Sequence, residues 1–303
     1  KSLGHPLLTQ SSGEPFMITT KQQISICVIN GYPRESRDNF DLTGVGHPHD
    51  FFIDFLNRYV PSARITLCFA ADSGDILPEG HSLEHFDGII WTGSDLTIFH
   101  HDDERVTKQI DFAKAVYEYG VPSYGSCWGI QMAAVAAGGE VEKNPRGREW
   151  SIGRNIRLTE EGKQSLFLSG KPEVYNGFVM HLDEVTRVPE GGTILAYNEH
   201  CKVQALEVHH QKGTFWATQY HPEYNLLEMA KLITARAAPL VSEGFFTRTR
   251  EVHRYADDMS ALHDNPNSPE LRKKLMIEDD ITDPQIREQE LRNWIDHLVI
   301  PNL

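Results

Sequence analysis

A cysteine between two glycines stands where a short apolar run meets a helical pattern, and few folds accommodate that arrangement. Residues 124–131 read YGSCWGIQ, with Cys127 at the centre. A tight strand-to-helix turn strains the backbone of its central residue and brings neighbouring main chain so close that only glycine fits beside it. The spacing predicts a nucleophile elbow with sulfur in place of oxygen. The alternative, a buried structural cysteine, is the interpretation given to Cys27 and Cys68 inside apolar strands.

The predicted location of Cys127 also favours its chemistry. A helix N-terminus presents unpaired backbone N–H groups and the positive end of the helix dipole, and both favour a thiolate over a thiol. The N–H of Trp128 would point toward an oxyanion that forms on the attacked carbonyl. Cys127 is therefore the candidate nucleophile.

A base for this nucleophile is found in the sequence His221-Pro222-Glu223, at the end of a predicted strand. Residues i and i+2 of an extended segment face the same side, so His221 and Glu223 project together. Pro222 fixes its own φ and keeps His221 extended. A carboxylate on one ring nitrogen sets the tautomer and leaves the other to take the thiol proton. The sequence therefore predicts a Cys-His-Glu triad.

Short apolar strand patterns alternate with helical patterns over the first half of the chain. Strands are predicted at 24–31, 63–68, 88–91 and 121–124, helices at 50–59, 104–119 and 130–137, and a loop at about 32–49. This alternation predicts a three-layer α/β fold with a mostly parallel sheet. Between about 140 and 220 short strand candidates dominate, among them 193–196, 203–208 and 214–218, and they predict antiparallel additions to the sheet.

These patterns divide the chain into three parts. Residues 1–20 are predicted to be an N-terminal arm or leader, residues 21–239 the catalytic domain and residues 240–303 a C-terminal helical extension. In the extension Ser268 and Asp283 each cap a helix whose first residue is a proline. We expect the extension to pack on the main domain. A contact with a partner protein, or with a second copy in a homodimer, is the alternative.

Charge and cysteine usage narrow the classes of function. The net charge of −14 argues against a nucleic-acid partner and, more weakly, against an anionic membrane. No apolar stretch approaches the roughly 20 residues needed to cross a bilayer. The four cysteines include no CxxC pair, which suits free thiols in a reducing compartment and predicts a cytoplasmic location.

Taken together, these residues resemble the class I (triad) glutamine amidotransferases, whose fold is flavodoxin-like. Residues 125–131 match the G-x-C-x-G-x-Q pattern of that family, and residues 221–223 match its H-P-E. The segments REW at 148–150, MHLD at 180–183 and QALE at 204–207 are supporting landmarks. The resemblance covers residues 24–235 and is nearest to stand-alone proteins similar to the amidotransferase domain of GMP synthase.

The resemblance implies a reaction and a substrate site. Cys127 would attack the side-chain carbonyl of glutamine and release ammonia, leaving a γ-glutamyl thioester for water to resolve. Residues at the matching positions would hold the glutamyl end of this small-molecule substrate: Gln131, Met180, His181 and Asp183. Asp183 could pair with the α-amino group, and a solvated loop acid is the alternative. The oxyanion site would comprise Gly93, Ser94 and Trp128.

One residue departs from the family pattern. After the third strand the family has two adjacent glycines, whereas this chain has Gly93-Ser94. The Ser94 N–H can still donate, but the loop must be shaped differently. A similar S-G-S sequence occurs in γ-glutamyl peptidases, which cleave γ-glutamyl peptides instead of free glutamine. The chain also lacks both G-x-x-x-x-G-K-[ST] and S-G-G-x-D-S loops, so any synthetase would be a separate partner protein.

Three functions therefore remain open: a glutaminase that supplies ammonia to a separate synthetase, a self-sufficient γ-glutamyl peptidase or hydrolase, and a silent binding module that keeps the fold. The intact triad speaks against the last. No cofactor is predicted. A metal site is not predicted either, because consecutive residues such as 100–103 (HHDD) rarely point at one ion. That stretch is typical of a polar loop leading into a helix.

Overall fold

The computed structural model describes residues 23–303, so the arm predicted at residues 1–20 lies outside the described residues. The strands of the described part are β1 (Ser25–Asn30), β2 (Arg64–Phe69), β3 (Gly88–Trp91), β4 (Ser123–Ser126), β5 (Glu140–Lys143), β6 (Glu149–Leu158), β7 (Val174–His181), β8 (Asp183–Arg187), β9 (Gly192–Tyr197), β10 (Ala205–His210) and β11 (Gly213–Thr218).

The helices before residue 240 are α1 (Arg34–Thr43), α2 (Pro48–Tyr59), α3 (Glu104–Tyr119), α4 (Trp128–Ala136), α5 (Glu160–Gln164), α6 (Leu226–Ala235) and the start of α7 (Ala237–Ser242). The later helices are α8 (Thr249–Asp264), α9 (Pro269–Leu275), α10 (Asp279–Thr282), α11 (Pro284–Arg287) and α12 (Gln289–Trp294). Short 3₁₀ turns span Leu83–His85 and Ile300–Asn302, and a π-helical turn spans Ile295–Val299.

Strands β2, β1, β3, β4 and β11 lie side by side in that order and are parallel. Their carboxyl ends therefore meet at one edge of the sheet, which is where open α/β sheets bind ligands. Gly93 follows β3, Cys127 follows β4 and His221 follows β11. Parallel pairing thus brings together three residues that lie far apart in the sequence.

The other half of the sheet is antiparallel. It continues from β11 through β10, β9, β6 and β7, while β5 and β8 form a separate antiparallel pair. The α/β class and the antiparallel additions are confirmed. The sequence did not single out β6, because a bulge between Gly153 and Ile156, with Asn155 at φ 51°, breaks its alternation.

The predicted loop at 32–49 was wrong in part, because it contains α1 and the start of α2. Only Arg37 and Phe40 of α1 are buried, so a single apolar side chain marks its buried face. A stop signal was present at Gly44, which adopts the left-handed conformation typical of a helix end. The helix predicted at 104–119 and the strand predicted at 88–91 have the expected bounds.

Alternate residues of the central strands are buried in two hydrophobic cores, one on each face of the sheet. Cys27 and Ile29 of β1 lie in a cluster with α3 and α4, while Ile26 and Val28 lie in a cluster with α2 and α12. The sheet is therefore covered on both faces, as the apolar runs of its strands require. All four cysteines are buried and free.

The C-terminal extension packs on the main domain through large apolar side chains. Trp294 is fully buried, and its ring centroid lies 6.2 Å from that of Tyr124. Its indole also packs against Gly88, where an added Cβ would lie 2.9 Å from the ring. The predicted caps are confirmed: the side chain of Ser268 accepts from Leu271 N–H and that of Asp283 from Gln285 N–H.

The boundary predicted at 239/240 falls inside α7, whose Leu240 is buried in a third core with residues of α6 and α8. The division into a catalytic domain and an extension stays a prediction. No helix among residues 23–303 is both long and apolar enough to span a bilayer.

Replacing Trp294 by alanine tests how much the extension contributes to stability. We expect Trp294→Ala to lower the free energy of unfolding by about 3–5 kcal/mol, since a fully buried aromatic side chain leaves a cavity. Urea unfolding followed by far-UV circular dichroism measures the change. The control is Leu42→Ala, at an 86% exposed position, which should change the free energy by less than about 0.5 kcal/mol. Equal effects of the two substitutions would contradict the packing described above.

Candidate active site

Cys127 sits in the predicted elbow between β4 and α4. Its backbone adopts φ 54° and ψ −95°, in the region that disfavours residues with side chains. A Cβ on Gly125 would lie 2.6 Å from the Cα of Gly129, so no other residue fits at Gly125 without movement of the helix. The backbone N–H of Cys127 donates to Thr218 O over 2.8 Å and ties the elbow to the end of β11.

His221 and Glu223 meet beside this elbow. Nδ1 of His221 lies 2.7 Å from Oε1 of Glu223, and the Ser126 hydroxyl donates to the same oxygen over 2.8 Å. Both His221 and Glu223 are buried. A Cβ on Gly93 would lie 3.2 Å from His221 Cε1 and 3.8 Å from Cys127 Cβ, so the imidazole and the cysteine border the same glycine.

The electrostatics of this group favour a proton on His221. Burial lowers the pKa of His221, but the charge of Glu223 and hydrogen bonds with Cys127 and Glu223 outweigh it and raise the pKa to about 10. Since the ordinary pKa of histidine is near 6.5, the ring carries its proton through neutral pH. A protonated imidazole beside the cysteine is the partner that a thiolate requires.

Two backbone N–H groups border the cysteine without an acceptor. Within residues 23–303, neither the Ser94 N–H nor the Trp128 N–H donates a hydrogen bond. The side chain of Ser94 is engaged: its hydroxyl donates to Gly31 O over 2.9 Å and accepts from Leu96 N–H. This pair of bonds shapes the loop after β3 at the position where the amidotransferase pattern has glycine.

A pocket of about 150 Å³ opens above Cys127. Of the residues predicted to bind substrate, Gln131, Met180, His181 and Asp183 all line it. Gln131 is buried, and its Oε1 has no hydrogen-bond partner among the described residues. Asp183 is half-buried, and burial raises its pKa against the opposing charges of His181 and Arg148.

The ring of His181 is committed to the protein. Its Nε2 lies 2.9 Å from Oε2 of Glu149, and its Nδ1 lies 3.0 Å from the carbonyl oxygen of Asp183. Glu149 also accepts from Asn198 and Gln204. Both ring nitrogens are therefore occupied, and the ring supports the segment that carries Asp183.

Sequence reasoning missed several residues that line the pocket: Tyr32, Asp95, Arg148, Tyr224 and Arg236. Arg148 was noted only as a landmark, and its guanidinium pairs with Glu243 over 2.8 Å. Arg236 has no carboxylate within 4.0 Å among residues 23–303. Tyr224 directly follows Glu223 and Asp95 directly follows Ser94, so adjacency to a predicted site residue was a signal for these two. Tyr32 and Arg236 lie in parts of the chain where no site residue was predicted.

No group of three or more potential metal ligands occurs within residues 23–303. The segment 100–103 precedes α3, and Asp103 caps that helix by accepting from Arg105 N–H. The side chains of the consecutive residues His209 and His210 have different neighbours. That of His209 contacts Glu207 and Thr214, whereas that of His210 packs against Tyr117.

Comparison with known proteins gives one family. The family model described as glutamine amidotransferase class-I matches residues 77–237. A γ-glutamyl-L-1-hydroxyisopropylamide hydrolase from Pseudomonas sp. is 31% identical over 285 residues, which span 92% of this chain and 95% of that protein.

A GMP synthase from Clostridium tetani is 29% identical over 161 residues, which span 49% of this chain but only 28% of the synthase. Among solved structures, a glutamine amidotransferase from Thermotoga maritima superposes with a TM-score of 0.65 at 14% identity. The superposition covers 91% of this chain and 98% of that one, and it shows that the two share a fold.

The protonation state of His221 can be measured directly. We expect NMR of the ¹⁵N-labelled imidazole, assigned with His221→Asn, to give a midpoint near the value of about 10 that its surroundings impose on the pKa. The ring would hold its proton below that pH and lose it above. In Glu223→Gln the midpoint should fall, since the neighbouring negative charge is gone. A midpoint near 6.5 in the wild type, or one that Glu223→Gln leaves in place, would contradict the electrostatic account.

Proposed function

Because the chain belongs to the class-I glutamine amidotransferase family, we propose that it hydrolyses a γ-glutamyl amide bond with a Cys-His-Glu triad. Cys127 is the nucleophile, His221 the acid and base, and Glu223 the group that orients the imidazole. One observation carries the proposal. Cys127 is held at positive φ beside His221, whose Nδ1 contacts Glu223 over 2.7 Å.

The first half-reaction forms a thioester. The Cys127 thiolate attacks the γ-carbonyl carbon. The oxyanion that forms accepts hydrogen bonds from the backbone N–H groups of Trp128 and of Ser94, the residue after Gly93. Protonated His221 gives its proton to the leaving nitrogen, so the amine departs neutral. The raised pKa of His221 suits this step, because the proton is in place before the attack.

The second half-reaction returns the enzyme to its starting state. The imidazole of His221, now neutral, removes a proton from water as the oxygen attacks the thioester carbonyl. The same N–H groups stabilise the second oxyanion, and its collapse expels the Cys127 thiolate and releases glutamate. His221 keeps the proton for the next turnover.

The pocket supplies groups for the glutamyl end of the substrate. Asp183 would pair with the α-amino group, and the free Oε1 of Gln131 would accept a hydrogen bond. Met180 would supply an apolar wall, and His181 would hold Asp183 in place through the bond from its ring to the Asp183 carbonyl.

For the leaving group, an organic amine has the stronger support. The relative named a γ-glutamyl-L-1-hydroxyisopropylamide hydrolase aligns over nearly the whole chain, including most of the C-terminal extension. We therefore propose a self-sufficient hydrolase of γ-glutamyl amides of small amines.

The second candidate is a glutaminase that supplies ammonia to a separate synthetase in the cytoplasm. The similarity to 28% of a GMP synthase supports it.

An assay of the purified chain separates these candidates. Glutamate release is measured with γ-glutamyl alkylamides, γ-glutamyl peptides and free glutamine. We expect the alkylamides to have the highest kcat/KM, and Cys127→Ala to lose at least about three orders of magnitude because the nucleophile is absent. Cys68→Ala is the matched control, since Cys68 is also buried but lies in β2.

Other outcomes assign the function differently. Turnover of free glutamine alone would select the ammonia-supplying candidate and exclude the amide hydrolase. Turnover that survives Cys127→Ala would exclude both, because each requires the thioester.

A further inference from the structure

The C-terminal extension contacts the main-chain segment that carries His221 and Glu223. Arg287, the last residue of α11, is buried, and its Nε lies 3.3 Å from the carbonyl oxygen of Pro222. Pro222 stands between His221 and Glu223. Since a proline has no N–H, its carbonyl is the one main-chain polar group by which this residue can be held.

The guanidinium of Arg287 is itself fixed on its other sides. Its Nη1 donates to Ile281 O over 2.8 Å, and its Nη2 donates to Oε1 of Glu288 over 3.3 Å. Glu288 is buried and also accepts two bonds from Arg58 of α2, over 2.9 and 3.1 Å. A planar guanidinium with three separate acceptors has little freedom to turn. Arg287 is therefore a rigid donor toward the Pro222 carbonyl.

A second contact of the extension lies on the other side of His221. Glu290 of α12 is fully buried and pairs with Lys171, with 3.1 Å between Oε2 and Nζ. The Lys171 ammonium lies 4.5 Å from the ring centroid of Tyr175 and 5.9 Å from that of Tyr220, the residue before His221. The extension therefore contacts the segment after the imidazole directly, through Arg287, and approaches the residue before it indirectly, through Lys171.

The carboxylate of Glu223 depends on its backbone for its orientation. His221 and Ser126 both bind the Oε1 atom, whereas Oε2 has no partner among residues 23–303. The side chain of Glu223 is 0% exposed, so the protein encloses the carboxylate completely. Because side chains hold only one of its two oxygens, the position of the Pro222–Glu223 peptide contributes the remaining constraint on where the carboxylate sits.

We propose that Arg287 is a positioning residue for the triad, and that the extension takes part in catalysis by holding the His221-Pro222-Glu223 segment in register with Cys127. The inference rests on the proposed function for its effect on turnover. Arg287 touches neither substrate nor the reacting atoms. It acts by fixing the peptide that carries Glu223, and through Glu223 it sets the orientation and charge state of His221.

The test compares Arg287→Gln and Arg287→Lys with a matched arginine of the same interface. Arg154 of β6 also donates to carbonyl groups of the extension, at Leu275 and Met276, but it lies away from the triad. Each variant of the full chain is assayed for kcat and KM on the best γ-glutamyl substrate. Its melting temperature and the NMR midpoint of His221 are measured in parallel.

We expect Arg287→Gln to lower kcat roughly 10- to 100-fold while KM changes by less than about threefold, because misplaced catalytic groups cost turnover more than binding. The His221 midpoint should fall, as Glu223 is no longer held against the ring. Arg287→Lys should keep part of the activity, since one ammonium can still donate to Pro222 O. Arg154→Gln should lower the melting temperature but leave kcat and the His221 midpoint at wild-type values.

Wild-type kcat and an unchanged His221 midpoint in Arg287→Gln would overturn the proposal. So would equal losses of kcat in Arg287→Gln and Arg154→Gln, because they would mean that the extension only stabilises the fold. If Arg287→Gln does not fold, Arg287→Lys decides by the same two readouts. If the wild type cleaves no γ-glutamyl amide, the proposed function fails, and the His221 midpoint alone decides whether Arg287 positions the triad.

Discussion

Cys127 adopts a backbone conformation that costs a residue with a side chain on the order of 1–3 kcal/mol, and the surrounding structure has to hold it there. The hydrogen bond from Cys127 N–H to Thr218 O anchors the elbow to β11, the strand that leads to His221. The close approach of Gly125 to Gly129 packs the helix against the strand it follows. The parallel neighbours β3, β4 and β11 therefore place the proposed oxyanion donors, nucleophile and base at one edge of the sheet.

Burial makes the charges of this site depend on one another. A buried imidazolium is costly unless negative groups face it, and Glu223 and Cys127 provide them. The carboxylate is in turn held by Ser126, and its peptide by Arg287 of the extension. Hydrogen bonds thus connect the elbow, the proposed triad and the C-terminal helices, and these contacts are the basis for proposing that the extension affects the chemistry.

Much of this site could be predicted from the sequence because it depends on local geometry. The glycines beside Cys127 and the i, i+2 spacing of His221 and Glu223 each imply a shape within a few residues. The contact of Arg287 with the Pro222 carbonyl and the position of Tyr32 in the pocket could not be predicted, since both depend on how distant elements pack. Strand β6 was missed because a bulge disrupts the alternation that identifies a strand. Helix α1 was missed because its buried face carries only one apolar residue, Phe40, beside Arg37.

In the proposed mechanism every substrate passes through one γ-glutamyl thioester on Cys127. Hydroxylamine reveals this intermediate, because it competes with water for the thioester and gives γ-glutamyl hydroxamate. We expect one ratio of hydroxamate to glutamate for γ-glutamyl substrates with different leaving amines, since all of them reach the same intermediate. A ratio that varies with the leaving amine, or glutamate release without any hydroxamate, would contradict it.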